Sequence, residues 1–83
     1  MPCVNPDGTL SPSGRQMLTA LNDGVKLTVY ELAAATGLNV YRIRAGMRNL
    51  ADAGLVVAED DDDGGGQHFS QTERGARRAG ALD

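Results

Sequence analysis

Apolar residues return every three or four positions along the first two thirds of the chain, and then the pattern shortens abruptly. Met17, Leu18 and Leu21 fall on one helical face within "LSPSGRQMLTALNDG", with Ser11 placed to cap, Pro12 at the first helical position and Gly24 as the stop. "VKL", residues 25–27, is long enough only for a minimal strand that puts Val25 and Leu27 on the same side. "TVYE" then opens a second helix as a capping box, in which Thr28 caps and Glu31 reaches back, and Gly37 ends it. Asn39 caps a third helix running to about Ala53, where Val40, Ile43, Met47 and Leu50 form one apolar face. After Gly54 the period changes. "LVVA", 55–58, and "QHFS", 67–70, read as short strands joined by the acidic, glycine-rich run between them, and Thr72 caps a final helix, "ERGARRAGALD". The pattern predicts a mainly helical α+β fold.

Two helices separated by "TGLN" match a helix-turn-helix. Where the two helices touch, a small side chain is needed, and Ala33 supplies it. Gly37, four positions on, can take the positive φ of the turn. Ile43, six positions further, is a branched anchor, with Leu32 and Leu38 filling the adjoining core. At 83 residues with 4% aromatics, the chain forms one domain with an aliphatic core. The boundaries expected are an N-terminal extension, 1–10, containing the turn "NPDG", and a domain over 11–83.

Charge is unevenly spread within a net of −3. Residues 1–56 carry five basic groups, Arg15, Lys26, Arg42, Arg44 and Arg48, against four acidic ones, whereas 57–83 carry three against seven. "YRIRAGMR", 41–48, is the most basic stretch and "EDDDD", 59–63, the most acidic. On the third helix Tyr41, Arg44, Ala45 and Arg48 share a surface facing away from the apolar side, with Arg42 and Asn49 flanking it. The absence of a long apolar run predicts no membrane span, and "MPCVNPDGTL" has neither the basic start nor the apolar stretch of a secretory leader, so a soluble, cytoplasmic protein is expected.

The segments "ELAAATGL", "RNLADAGLV" and "TERG" resemble the winged helix-turn-helix of MarR-like transcriptional regulators, a likeness extending over residues 11–80. The resemblance implies a three-helix core, a β-hairpin wing and a short C-terminal helix. It also implies a sequence-specific regulator of transcription that binds double-stranded DNA through the helix at about 39–53. Asn39, Tyr41, Arg42, Arg44, Ala45, Arg48 and Asn49 then become the DNA-contacting residues. Arg44 and Arg48 would read guanines, Ala45 would permit close approach, and Arg42 and Asn49 would hold phosphates. Family regulators usually pair, which implies a homodimer joined through the first helix, the N-terminal segment or the last helix. Two positions depart from the family pattern. Wings of this type usually offer a basic residue, where this chain has Glu59 to Asp63, and Gln71 stands where an apolar residue is common.

Other chemistry is less well supported by the residues. Glu59, Asp61, Asp63 and Gly64 imitate the start of a calcium loop, but Ser70 occupies the twelfth position, where a bidentate Glu is required. His68 has no Cys at ligand spacing, and Cys3 lies in a polar, turn-rich terminus with no activating partner. No metal, cofactor or enzymatic activity is expected. The glycines and like charges of the acidic run predict a mobile hairpin tip. They also leave a second function open, a winged-helix interaction module whose acidic wing meets a basic protein partner, and a third reading in which the acidity is an adaptation to high salt.

Overall fold

The computed structural model describes residues 3–61 and 66–81. Four helices and one hairpin follow in the order α1 (Pro12–Thr19), α2 (Val29–Thr36), α3 (Val40–Asp52), β1 (Val56–Asp60), β2 (Gln67–Gln71) and α4 (Glu73–Gly80). The architecture is mainly helical α+β, as the pattern predicts. Each helix start carries the expected cap. Ser11 accepts from the Gly14 amide, Asn39 from Arg42 and Thr72 from Gly75, while Thr28 and Glu31 complete both halves of a capping box. Gly37 closes α2 at φ 77° and returns its N–H to the Ala33 carbonyl.

Helix α3 is the centre of the fold. Its buried face is Ile43, Gly46, Met47 and Leu50, with Val40 only half-buried. Gly46 enters this face because α1 and the N-terminal segment press against it. A Cβ there would lie 2.3 Å from Met17 Sδ and 2.8 Å from Cys3 Sγ. Met17 and Leu18 from α1, Leu21 just beyond its end and Leu32 from α2 join this face in the core, and all are fully buried. Aliphatic side chains therefore make up almost the entire core, with Phe69 as its aromatic member.

Helix α1 stops at Thr19, short of the expected Gly24. The Thr19 hydroxyl bonds back to the Arg15 carbonyl, and a 3-10 turn over Asn22–Gly24 follows with Asp23 at φ 68°. Asn, Asp and Gly favour local turn conformations over another helical turn, so the chain bends once Leu21 is buried. "VKL" contributes a single antiparallel bridge, Leu27 to Phe69, and Val25 is exposed rather than sharing the Leu27 side. Cys3 is also placed differently from its sequence reading. It is 3% exposed and belongs to the core, with Leu10 beside it. The turn from Asn5 to Gly8 brings Leu10 back to pair with Val4, and this returns the N-terminal segment to the domain.

The strands run further into the acidic stretch than expected. Val56 pairs with Gln71, Ala58 with Phe69, Glu59 with His68 and Asp60 with Gln67. Glu59 and Asp60 are therefore strand residues and not part of the tip. Of the mobile tip expected over 59–66, residues 62–65 lie outside the described residues. Behind the wing, α4 is held at its first turn. The Thr72 hydroxyl donates to the Gly54 carbonyl at 2.7 Å, and a Cβ on Gly75 would stand 1.8 Å from the Leu55 carbonyl oxygen. Gln71, half-buried, donates to the Leu18 carbonyl and to Asn22 Oδ1, so the departure from an apolar residue is satisfied by polar contacts at the end of α1.

Two substitutions separate these contributions. Gly75→Ala must displace backbone and is expected to cost about 3 kcal/mol. Ile43→Ala should cost around 2–5 kcal/mol by leaving a cavity at the helix crossing. Urea denaturation measures both, and a midpoint unchanged in either variant contradicts the packing described. Burial raises the Cys3 thiol pKa, so alkylation should proceed only as the domain unfolds. Rapid labelling of the native protein would contradict the buried placement.

Candidate nucleic-acid interface

Because one side of α3 is committed to the core, the opposite side is presented to solvent. Tyr41 is 86% exposed, and Arg44, Ala45 and Arg48 are exposed along the same face. These four residues lie together as the sequence period predicts. Asn39 is at the cap, its Oδ1 taken by the Arg42 amide at 2.9 Å. The two flanking residues are drawn inward. Arg42 is half-buried, and its Nε and Nη2 both donate to Ser13 Oγ on α1 at 3.2 and 2.7 Å. Asn49 Oδ1 accepts the Cys3 N–H at 3.1 Å. Both side chains therefore brace α3 against α1 and the N-terminal segment.

A cleft of about 550 Å³ lies between α3, the start of α2 and the wing, lined among others by Thr28, Tyr30, Arg44, Arg48, Gln67 and Phe69. Four of these, Thr28, Tyr30, Gln67 and Phe69, are outside the set read from the sequence. Tyr30, at the second position of α2, remains 66% exposed and brings a second outward aromatic in addition to Tyr41. A second cleft, about 450 Å³, shares no lining residue with the first and lies between the N-terminal turn and α4. Of its three arginines, Arg78 donates to the Gly8 carbonyl and Arg77 pairs with Glu73.

The acidic run and the basic helix are separated by strand geometry. Side chains alternate along a strand, and Ala58, Gln67 and Phe69 face the cleft. Glu59 and His68, paired across the strands, take the other face. There Glu59 meets Lys26 Nζ at 3.1 Å, His68 Nδ1 contacts Asp61, and His68 Nε2 lies 3.9 Å from Glu31. Asp60, on the cleft side, accepts from Gln67 Nε2 at 3.0 Å. The sequence reading places His68 in the second strand with no Cys at ligand spacing, and does not anticipate this bridge between the wing and the start of α2.

This arrangement, a helix-turn-helix whose second helix is exposed beside a hairpin wing, is a winged helix-turn-helix fold. BpsR of Bordetella bronchiseptica, whose DNA binding is regulated by 6-hydroxynicotinic acid, shares the fold at a TM-score of 0.84 and 19% identity, over 93% of this chain and 56% of BpsR. A MarR family transcriptional regulator from Silicibacter pomeroyi gives 0.73 at 20% identity, over 82% of this chain and 45% of that regulator. A putative DNA-binding protein from Ralstonia eutropha gives 0.74 at 25% identity, over 89% of this chain and 98% of that one. The chain thus spans about half the length of the two regulators and nearly all of the third protein. No family model matches the sequence, and no curated protein does. Among the described residues, no helix is long and apolar enough to cross a membrane.

Glu31 offers a direct check on the geometry at the start of α2. The Thr28 backbone amide, and then its hydroxyl, hold the Glu31 carboxyl below the usual glutamate range. A carboxyl more acidic when folded than unfolded stabilises the fold above the unfolded value, and that contribution disappears as pH falls through the folded one. An NMR titration should place Glu31 below an ordinary glutamate, and Thr28→Ala should move it upward. An ordinary titration in both proteins would contradict the capping box.

Proposed function

We propose that the protein is a sequence-specific, double-stranded DNA-binding regulator of transcription, with α3 as its recognition helix. The observation that carries this reading is the joint exposure of Tyr41, Arg44, Ala45 and Arg48 on the outer face of α3. A helix of this kind enters the major groove by its N-terminal part, where arginine can bond bidentately to guanine. Ala45, between the arginines, keeps the approach close. Arg42 and Asn49, already engaged with Ser13 and Cys3, serve chiefly to set the angle of α3, and Arg42 reaches phosphate only by exchanging its Ser13 contact. Support also comes from relatives in fold that are a regulator with DNA-binding activity and a putative DNA-binding protein. No enzymatic step, metal or cofactor belongs to this reading.

A regulator of this class acts as a two-fold dimer on half-sites one helical turn, or a multiple, apart. In this chain the pairing surface would come from α1, the N-terminal segment or α4. The acidic wing favours a second reading, an interaction module that meets a basic protein and leaves α3 out of any groove.

The two readings diverge on substitution. Arg44→Ala and Arg48→Ala should each weaken binding to a selected duplex while leaving the denaturation midpoint in place, because both side chains are exposed. A lost phosphate contact should also reduce the salt slope by about 0.9. Unchanged binding in the double variant would remove α3 as the reader. Replacing Asp60, Asp61, Asp62 and Asp63 with Asn should tighten DNA binding, most visibly at low salt. Loss of a basic protein partner with no DNA signal in either form would instead establish the interaction module.

A further inference from the structure

We infer that the wing stays out of the minor groove and that sequence is read in the major groove alone, by Arg44 and Arg48 on guanines about two base steps apart. This inference rests on the DNA-binding reading and deepens it. A wing that enters the minor groove brings a cation to its negative potential, which is strongest where the groove is narrow. Residues 56–71 contain no Lys or Arg and five carboxylates, Glu59 to Asp63. Lys26, which pairs with Glu59, lies on the face away from α3. The wing is also fixed at its base: Phe69 is buried, and Gln71 is hydrogen-bonded to the end of α1. Its cleft-facing side, Ala58, Gln67 and Phe69, is neutral apart from Asp60, which is held by Gln67. Such a surface can lie beside a phosphate strand but gains nothing from entering the groove.

Specificity then falls to α3. Arg44 and Arg48 are one turn apart on the exposed face, a rise of about 6 Å at 1.5 Å per residue. With base pairs stacked about 3.4 Å apart, that separation spans about two steps. Tyr41 and Ala45 present no charged group to the intervening pair.

The test uses the full chain and a duplex that it selects from a random library, with binding read by fluorescence anisotropy. Replacing each contacted guanine with 7-deazaguanine, which lacks the major-groove N7, should weaken binding about 5- to 150-fold. Inosine, which lacks only the minor-groove amino group, should leave affinity within about twofold at the same positions. Distamycin on an A·T tract placed about half a helical turn away, beneath the wing, should not displace the protein. Displacement by distamycin, or equal losses with inosine and 7-deazaguanine, would overturn the inference while leaving the regulator intact. Failure to select any duplex would overturn the regulator reading itself, so the two failures are distinguishable.

Discussion

Everything that α3 can present to a partner depends on how closely its other side lies on α1. Gly46 marks that close approach, because a Cβ there would press on Met17 Sδ and Cys3 Sγ and force those side chains to shift. With the helices at that separation, Ile43, Met47 and Leu50 close the core and turn Tyr41, Arg44, Ala45 and Arg48 outward as a rigid set. Arg42 and Asn49 then lock the rotation about the α3 axis through Ser13 and the Cys3 amide. Side-chain ends such as Met17 Sδ can give way to changes of shape, whereas a backbone contact cannot. Gly75 is the stricter case, because where α4 crosses the start of the wing a Cβ would meet the Leu55 backbone itself.

The closeness of the acidic and basic stretches follows from the alternation of a strand. Placing Glu59 on the far face of the hairpin gives it to Lys26, while His68, opposite it, joins Asp61 to Glu31. Lys26 and Glu59 are largely exposed and His68 with Asp61 is half-buried; an exposed pair contributes little to stability on its own. The consequence of these pairs is positional: Glu59 and Asp61 are directed away from the arginines of α3, and Asp60, on the side that faces those arginines, is held by Gln67. A net negative chain can in this way keep a locally positive surface.

Most of the fold is legible in the sequence because its boundaries are marked by residues with strong local preferences. Ser11, Thr28, Asn39 and Thr72 all cap the helices that they precede, and Gly37 takes the left-handed turn. The outward face of α3 is legible for the same reason, since a single helical period divides Ile43 and Met47 from Arg44 and Arg48. Contacts between distant segments are not. Nothing near Cys3 in sequence signals that Gly46 leaves room for it, and Lys26 and Glu59 are brought together only by the bridge of Leu27 to Phe69. The end of α1 is missed because Leu21 continues the apolar period after the backbone has turned. Tyr30 and Gln67 enter the cleft only once the wing is docked beside α2.

The most direct measure of the central claim is a map of backbone amide shifts as a short selected duplex is titrated into the protein. The account predicts that the largest changes fall on residues 41–48 of α3 and, at the cleft, on Thr28, Tyr30 and Gln67, with α4 quiet. Changes centred on α4 or on the far face of the wing, with 41–48 unmoved, would contradict it.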